Sequence, residues 1–306
     1  MSKWLISGVT GLLGANAFRV LEQAHEVLGT SRRRPRAIEP SAFVAADISD
    51  AVSRRDLIAQ AAPDVVLHAA ALSSIEACEQ DPELAHKVNV EASADLAAQA
   101  ARAGSRFIYI STDAVFDGER GGYWELDQVS PTTEYGRSKV AAERAVLAAH
   151  PGAIVARVNF YGWSPTGTRS LAEFFHRNLA EGNSVKGFTD ITVSTLYIDD
   201  LVDALVALDD ARSSGVVHVV SSEPVTKFDF GRDLATLFGF DPELVQPAQS
   251  TDVLAHARGS NISLDVTRFH ALTAQVLPGQ NDSMKRLKKA FDDGVPSVVA
   301  GFANGG

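Results

Sequence analysis

Short apolar runs alternate with amphipathic ones along the first half of the chain, and a glycine turn, Gly8-Val9-Thr10-Gly11-Leu12-Leu13-Gly14, joins the first pair. Lys3–Ser7 reads as a strand, Leu12–Ala24 as a helix, and Glu26–Thr30 and Ala42–Ala46 as strands. The pattern continues with a helix around Ser53–Ala62, a strand at Asp64–His68, a long helix over Pro82–Ala103 and a strand at Arg106–Ser111. A helix from Tyr135 to Ala149 and a strand at Ala153–Arg157 close it. Strands separated by helical segments make βαβ units, so the expected class is α/β: a Rossmann-type doubly wound parallel sheet. Right-handed crossovers put the carboxyl ends of the strands on one edge, where ligands bind.

Beyond Arg157 the alternation loosens. Ser170–Glu181, Asp200–Leu208, Phe228–Phe238 and Ser283–Phe291 read as helical, Thr195–Ile198 as extended and Val216–Val220 as a strand. The expected division is a dinucleotide-binding domain over 1–160 and a smaller substrate-binding lobe over 161–306, partly interleaved with it. Ala300–Gly306 has little to anchor it and is expected to fray.

Composition narrows the partners. A net charge of -10 over 306 residues repels phosphate polymers, which argues against nucleic acid. No apolar stretch is long enough to cross a bilayer. Met1-Ser2-Lys3 leads straight into a strand without the pattern of a signal peptide, so the cytoplasm is the expected location. Cys78 is the only cysteine, which excludes an internal disulfide and a multi-cysteine metal site, and no ligand spacing asks for a metal.

The glycine turn sits where a dinucleotide pyrophosphate would be held, between a strand and the N-terminus of a helix. Gly8, Thr10, Gly11, Leu12, Leu13 and Gly14 are its contact candidates, in G-x-x-G-x-x-G rather than G-x-G-x-x-G spacing. After the second strand come Ser31, Arg32 and Arg33, where an acidic residue would bind a ribose hydroxyl and arginine suits a 2′-phosphate. They favour NADP(H) over NAD(H); the alternative is a solvated basic loop. Asp47, followed by Ile48, meets the adenine amino group or caps the next helix. His68-Ala69-Ala70-Ala71 leaves room for a flat cofactor, with His68 itself read as a packed strand-end residue rather than a catalyst.

Ser111 and Thr112 end the fifth strand, so the Thr112 hydroxyl is placed to hydrogen-bond a carbonyl oxygen. Tyr135 and Lys139, four apart, share one helix face. A lysine ammonium there lowers the phenol's pKa and can hold the nicotinamide ribose, while Tyr135 protonates an alkoxide. Asn89, on the long helix, binds a backbone carbonyl or a water near the lysine, or is a plain polar residue. Asp199-Asp200 resembles a helix N-cap more than a metal pair.

Together these segments resemble the extended short-chain dehydrogenase/reductases, and within them the dTDP-4-dehydrorhamnose reductase-like, or sugar-nucleotide-binding, group. The resemblance runs through Gly8–Gly14, His68–Ala71, Cys78–Glu83, Val88-Asn89-Val90, Ser111–Gly118, Pro131–Lys139 and Arg157–Trp163. It implies NADPH-dependent reduction of a 4-keto sugar on a nucleotide diphosphate, with Thr112, Tyr135 and Lys139 as the catalytic trio. It further implies a homodimer and a sugar pocket using Ser73, Asp113, Ala114, Asn159, Phe160 and Trp163. Two features depart from the group. Ala114 stands where an aromatic residue is frequent, and the segment after Arg157 is shorter, offsetting Phe160 and Trp163. The related dehydratases carry an Asp-Glu pair after the threonine; Asp113 is present here without the glutamate, which disfavours dehydration. The rival readings are a sugar-nucleotide epimerase and a non-catalytic subunit of the methionine adenosyltransferase regulatory type.

Overall fold

The computed structural model describes residues 1–252 and 260–303. The first half runs β1 (Lys3–Ser7), α1 (Leu12–Leu21), β2 (Glu26–Ser31), β3 (Phe43–Ala45), α2 (Ala51–Ala61), β4 (Val65–His68), α3 (Ile75–Gln80), α4 (Pro82–Ala85), α5 (Ala92–Ala103), β5 (Arg106–Thr112), α6 (Glu134–Ala149) and β6 (Ile154–Val158). The second adds β7 (Phe160–Tyr161), α7 (Leu171–Ala180), β8 (Val185–Phe188), β9 (Thr192–Val193), β10 (Leu196–Tyr197), α8 (Ile198–Asp210), β11 (Gly215–Val219), β12 (Val225–Thr226), α9 (Lys227–Phe238), β13 (Val245–Ala248), α10 (Thr267–Thr273), α11 (Gln280–Asp292) and α12 (Val295–Ala300).

Among the described residues the central sheet has seven strands in the order β11-β6-β5-β4-β1-β2-β3. Every pairing in it is parallel. Successive side chains alternate faces, so each strand feeds two cores. Trp4, Ile6, Leu67, Ile108 and Ala156 pack on one side. Leu5, Val66, Phe107 and Val155 pack on the other. Strand order reverses between β1 and β4, which opens a crevice at their carboxyl ends.

The second half does not stand apart. β11 completes the main sheet, and one continuous core joins β1 to Phe175, Phe230 and Leu287 of the later helices. Three two-stranded pairs, β7 with β10, β9 with β12 and β8 with β13, frame the rest. Two expectations need correction. The helix over Pro82–Ala103 is interrupted by a π-helical turn at His86–Glu91 between α4 and α5. The tail does not fray at 300–303: Phe302 is buried, its ring 5.6 Å from Phe18, and the Gly301 carbonyl accepts the Ala37 N–H at 3.0 Å. Residues 304–306 lie outside the described residues. No helix among the described residues is long and apolar enough to cross a membrane.

Candidate active site

The glycine turn is built by close approach. Gly8 takes φ +75°, and a Cβ there would lie 2.9 Å from the Ala70 backbone. A Cβ on Gly14 would lie 2.2 Å from the Gly8 carbonyl oxygen. Only hydrogen atoms fit between the loops after β1 and β4 and between α1 and its strand. Gly11 caps α1 without a side chain, so the first-turn N–H groups, those of Leu12, Leu13 and Gly14, are open to an anion at the crevice. Thr10 is half-buried beside them. Asn16, fully buried, donates to the carbonyls of Leu12 and Trp163, both at 2.8 Å, and so pins α1 to the later lobe.

At the end of β2 the Ser31 hydroxyl donates to the Arg33 carbonyl at 2.6 Å, and Arg32 and Arg33 stand exposed. Neither has an ion-pair partner among the described residues. Hydrogen bonds from the Ser49 N–H (2.9 Å) and hydroxyl (2.7 Å) hold the Asp47 carboxyl below its usual range, with a smaller contribution from Arg32. Asp47 therefore does not cap α2; Asp50 does, accepting the Ser53 N–H at 2.7 Å. The Ile48 carbonyl is occupied by Arg54 at 2.7 Å. These residues fit a dinucleotide phosphate end: a side-chain-free cradle, an open helix terminus and two unpaired guanidiniums.

The His68 ring is engaged within the fold. It is 1% exposed, with Nδ1 at 2.7 Å from the Ser7 hydroxyl and Nε2 at 2.9 Å from the Ser93 hydroxyl. Burial, aided by the charges of Lys139 and Arg54, pushes its pKa down to about 3, so it is a neutral tie between β1, β4 and α5. Ala69, Ala70 and Ala71 follow, half-buried. Asn89 sits on the π-helical turn. Its Oδ1 accepts the Leu72 N–H at 2.8 Å, and its Nδ2 donates to the Leu72 carbonyl and the Ser138 hydroxyl, both at 3.0 Å. It thus links the loop after β4 to α6 and makes a backbone carbonyl contact, the Leu72 carbonyl.

Thr112 ends β5. Its hydroxyl donates to Asp113 Oδ1 at 3.1 Å and accepts the Ala114 N–H at 3.2 Å. The Tyr135 phenol is its neighbour from the first turn of α6, which Thr133 caps. Gly136 lets that turn close: a Cβ there would lie 2.4 Å from the Ala114 carbonyl oxygen. Burial raises the phenol's pKa, the Thr112 hydrogen bond lowers it, and the Asp113 charge raises it again. The expected lowering by lysine is not the controlling effect. Lys139, 2% exposed, donates to the Ile110 carbonyl at 2.7 Å and lies 4.1 Å from the centre of the Tyr109 ring. Burial brings its pKa down to about 7, opposed by Glu143. Tyr135 is thus held protonated, the form that can give a proton.

Asp113 is buried, and burial raises its pKa; Asn159 donates to its Oδ2 at 2.6 Å, and the Lys227 charge from the start of α9 also reaches it. Ser73 is exposed and Phe160 half-buried in β7. Two of the expected contacts have side chains engaged elsewhere. The Ser111 hydroxyl is turned to Glu143 Oε1, at 2.5 Å, and is 2% exposed. Trp163 packs among His176, Phe238 and Phe291, its indole N–H on the Leu287 carbonyl at 3.3 Å, as part of the lobe's core. Asp199 and Asp200 lie in the first turn of α8 but do not cap it; they pair with Arg19 and Arg286. Asn16, Gly136, Lys227 and the Glu143–Arg157 pair escaped sequence reasoning. The Gly next to Tyr135 and the Glu four beyond Lys139 are the signals that could have revealed two of them. A groove of about 780 Å³ lies at the amino ends of β4 and β5, on the opposite edge from this site.

The chain matches the RmlD substrate binding domain family over residues 2–292. It is 33% identical to the probable low-salt glycan biosynthesis reductase Agl14 of Haloferax volcanii, over 94% of this chain and 98% of that one. It is 36% identical to dTDP-4-dehydrorhamnose reductase of Mycobacterium tuberculosis, over 74% and 75%. It is 31% identical to methionine adenosyltransferase 2 subunit beta of Xenopus tropicalis, over 88% and 81%. A crystal structure of dTDP-4-dehydrorhamnose reductase from Bacillus anthracis in complex with NADP shares the fold, with TM-score 0.81 at 21% identity over 94% of this chain and 99% of that one.

Proposed function

Because the chain belongs to the RmlD substrate binding domain family of extended short-chain dehydrogenase/reductases, we propose that it is an NADPH-dependent reductase of a nucleotide-linked 4-keto-6-deoxy sugar. The observation that carries this reading is the neighbourhood of Tyr135 and Thr112, a protonated phenol beside a hydroxyl at the carboxyl edge of the sheet. Bound NADPH would supply hydride to the sugar carbonyl carbon. Thr112 hydrogen-bonds the carbonyl oxygen, and Tyr135 gives that oxygen its proton as negative charge develops. Lys139, one turn along α6, would hold the nicotinamide ribose. Gly8, Gly11 and Gly14 admit the pyrophosphate to the start of α1, and Arg32 and Arg33 favour a 2′-phosphate. Asp113 and Asn159 face the sugar.

The test is to mix the protein with NADPH and a nucleotide-linked 4-keto-6-deoxyhexose and follow loss of reduced nicotinamide. The product should have gained two hydrogens. The likeness to methionine adenosyltransferase 2 subunit beta supports a second reading, a binding subunit. Tyr135→Phe separates the two. A reductase should lose about a hundredfold or more in turnover while keeping its affinity for NADPH; a binding subunit should be unaffected.

A further inference from the structure

Behind the site, α6 carries a second buried charge one turn past Lys139. Glu143 is 4% exposed and accepts three hydrogen bonds: Ser111 Oγ at 2.5 Å, Arg157 Nε at 3.0 Å and Arg157 Nη2 at 2.8 Å. Arg157, also 4% exposed, continues toward the Glu125 carbonyl at 3.4 Å and His218 Nε2 at 3.5 Å. A forked guanidinium and a hydroxyl fix both carboxylate oxygens, so this charge has one position. The mechanism above does not use it.

We propose that Glu143 is a positioning residue: clamped by Arg157 and Ser111, it keeps Lys139 charged and aligned for the cofactor ribose. This rests on the reductase reading for its purpose, not for its test. Lys139 is almost fully buried, and its Nζ has a carbonyl and an aromatic face for partners rather than a carboxylate. A buried ammonium with neutral partners tends to lose its proton. The groups around it are few. Tyr109 and the Ile110 carbonyl come from β5, His68 from β4, Cys78 from α3, and Glu143 from its own helix; Arg157 and His218 stand behind Glu143 on β6 and β11. Glu143 lies one turn along α6 from Lys139, both buried on the same helix face, so its negative charge favours the ammonium.

The experiment follows the titration of Lys139 by NMR in ligand-free protein labelled at the lysine ε-carbon, with Lys139→Arg to assign the signal. Glu143→Gln should move the Lys139 midpoint down by about one pH unit or more. Arg157→Met should leave it unchanged or move it up. NADPH affinity measured across pH should lose its alkaline limb earlier in Glu143→Gln by the same shift. An unchanged or raised midpoint in Glu143→Gln overturns the proposal, because a pair that merely held the fold would admit water when broken and lift the midpoint of a buried lysine; a lowered midpoint in Arg157→Met overturns it as well. Should Glu143→Gln fail to fold, Glu143→Gln combined with Arg157→Met, which leaves no buried charge unpaired, is read in the same way. Failure of the native protein to bind NADPH would count against the reductase reading and leave the Lys139 titration to decide this one.

Discussion

Tyr135 and Lys139 stand one turn apart on α6 in different surroundings, and that difference sets their roles. The phenol keeps its proton because burial outweighs the Thr112 hydrogen bond, whereas the lysine sits near its midpoint at neutral pH. These residues were legible from spacing alone, since four residues make a turn whatever surrounds them. Their electrostatics were not, because burial and the Ile110 carbonyl appear only once β5 lies under α6. Arg32 and Arg33 were legible for a similar reason, standing at a strand end with no element to absorb them. Alanine at both should bring NADPH and NADH affinities closer together in a fluorescence titration; equal affinities in the native protein would remove the arginines' role. His68 and His218, both brought down to about 3 chiefly by burial, make a pH prediction. Unfolded histidine binds its proton near pH 6.5 while these do not, so stability is full above that value and falls as pH drops toward about 3. His68→Gln should reduce the slope of unfolding free energy by about 1.4 kcal/mol per pH unit between about pH 6 and about pH 4. Asp113, Glu125 and Asp200, whose pKa values are raised, oppose the trend in both proteins, so the difference between them is the quantity to compare.

At the scale of elements, the junction of β1 and α1 carries the tightest requirement. Gly14→Ala sets a Cβ 2.2 Å from a backbone oxygen, and backbone cannot move aside as a side chain would. It should destabilise the protein by about 1–3 kcal/mol and weaken NADPH binding at least about tenfold by shifting the helix start; denaturant melts and titration check both. The strands up to β6 and the longer helices between them were legible because apolar runs alternate with amphipathic ones; the six-residue α3, Ile75–Gln80, was too short to show such a pattern. The π-helical turn was not, since the apolar pattern of 82–103 does not betray one extra residue in a turn. Short elements of the later half, such as β8, β13 and α12, also escaped. They bury little surface each, so their sequences carry weak periodicity.

For the molecule as a whole, the chain's end is tied back to its beginning. Phe302 packs on Phe18 of the helix that follows the glycine turn, and the Gly301 carbonyl holds the Ala37 N–H. Phe302→Ala should cost about 3–5 kcal/mol, read as a lower melting temperature; no loss would mean that the tail is held only loosely. Sequence reasoning missed this anchor because one phenylalanine among small residues has no period to announce it. The same packing joins the later lobe to the sheet and brings the Lys227 charge towards Asp113, which Asn159 also holds, next to Thr112. The most direct test of the whole account is turnover of NADPH with a nucleotide-linked 4-keto-6-deoxyhexose, measured side by side for the native protein and Tyr135→Phe at matched cofactor saturation. The account predicts turnover in the first and near-complete loss in the second, with NADPH bound equally well by both. Equal turnover in the two proteins would contradict it.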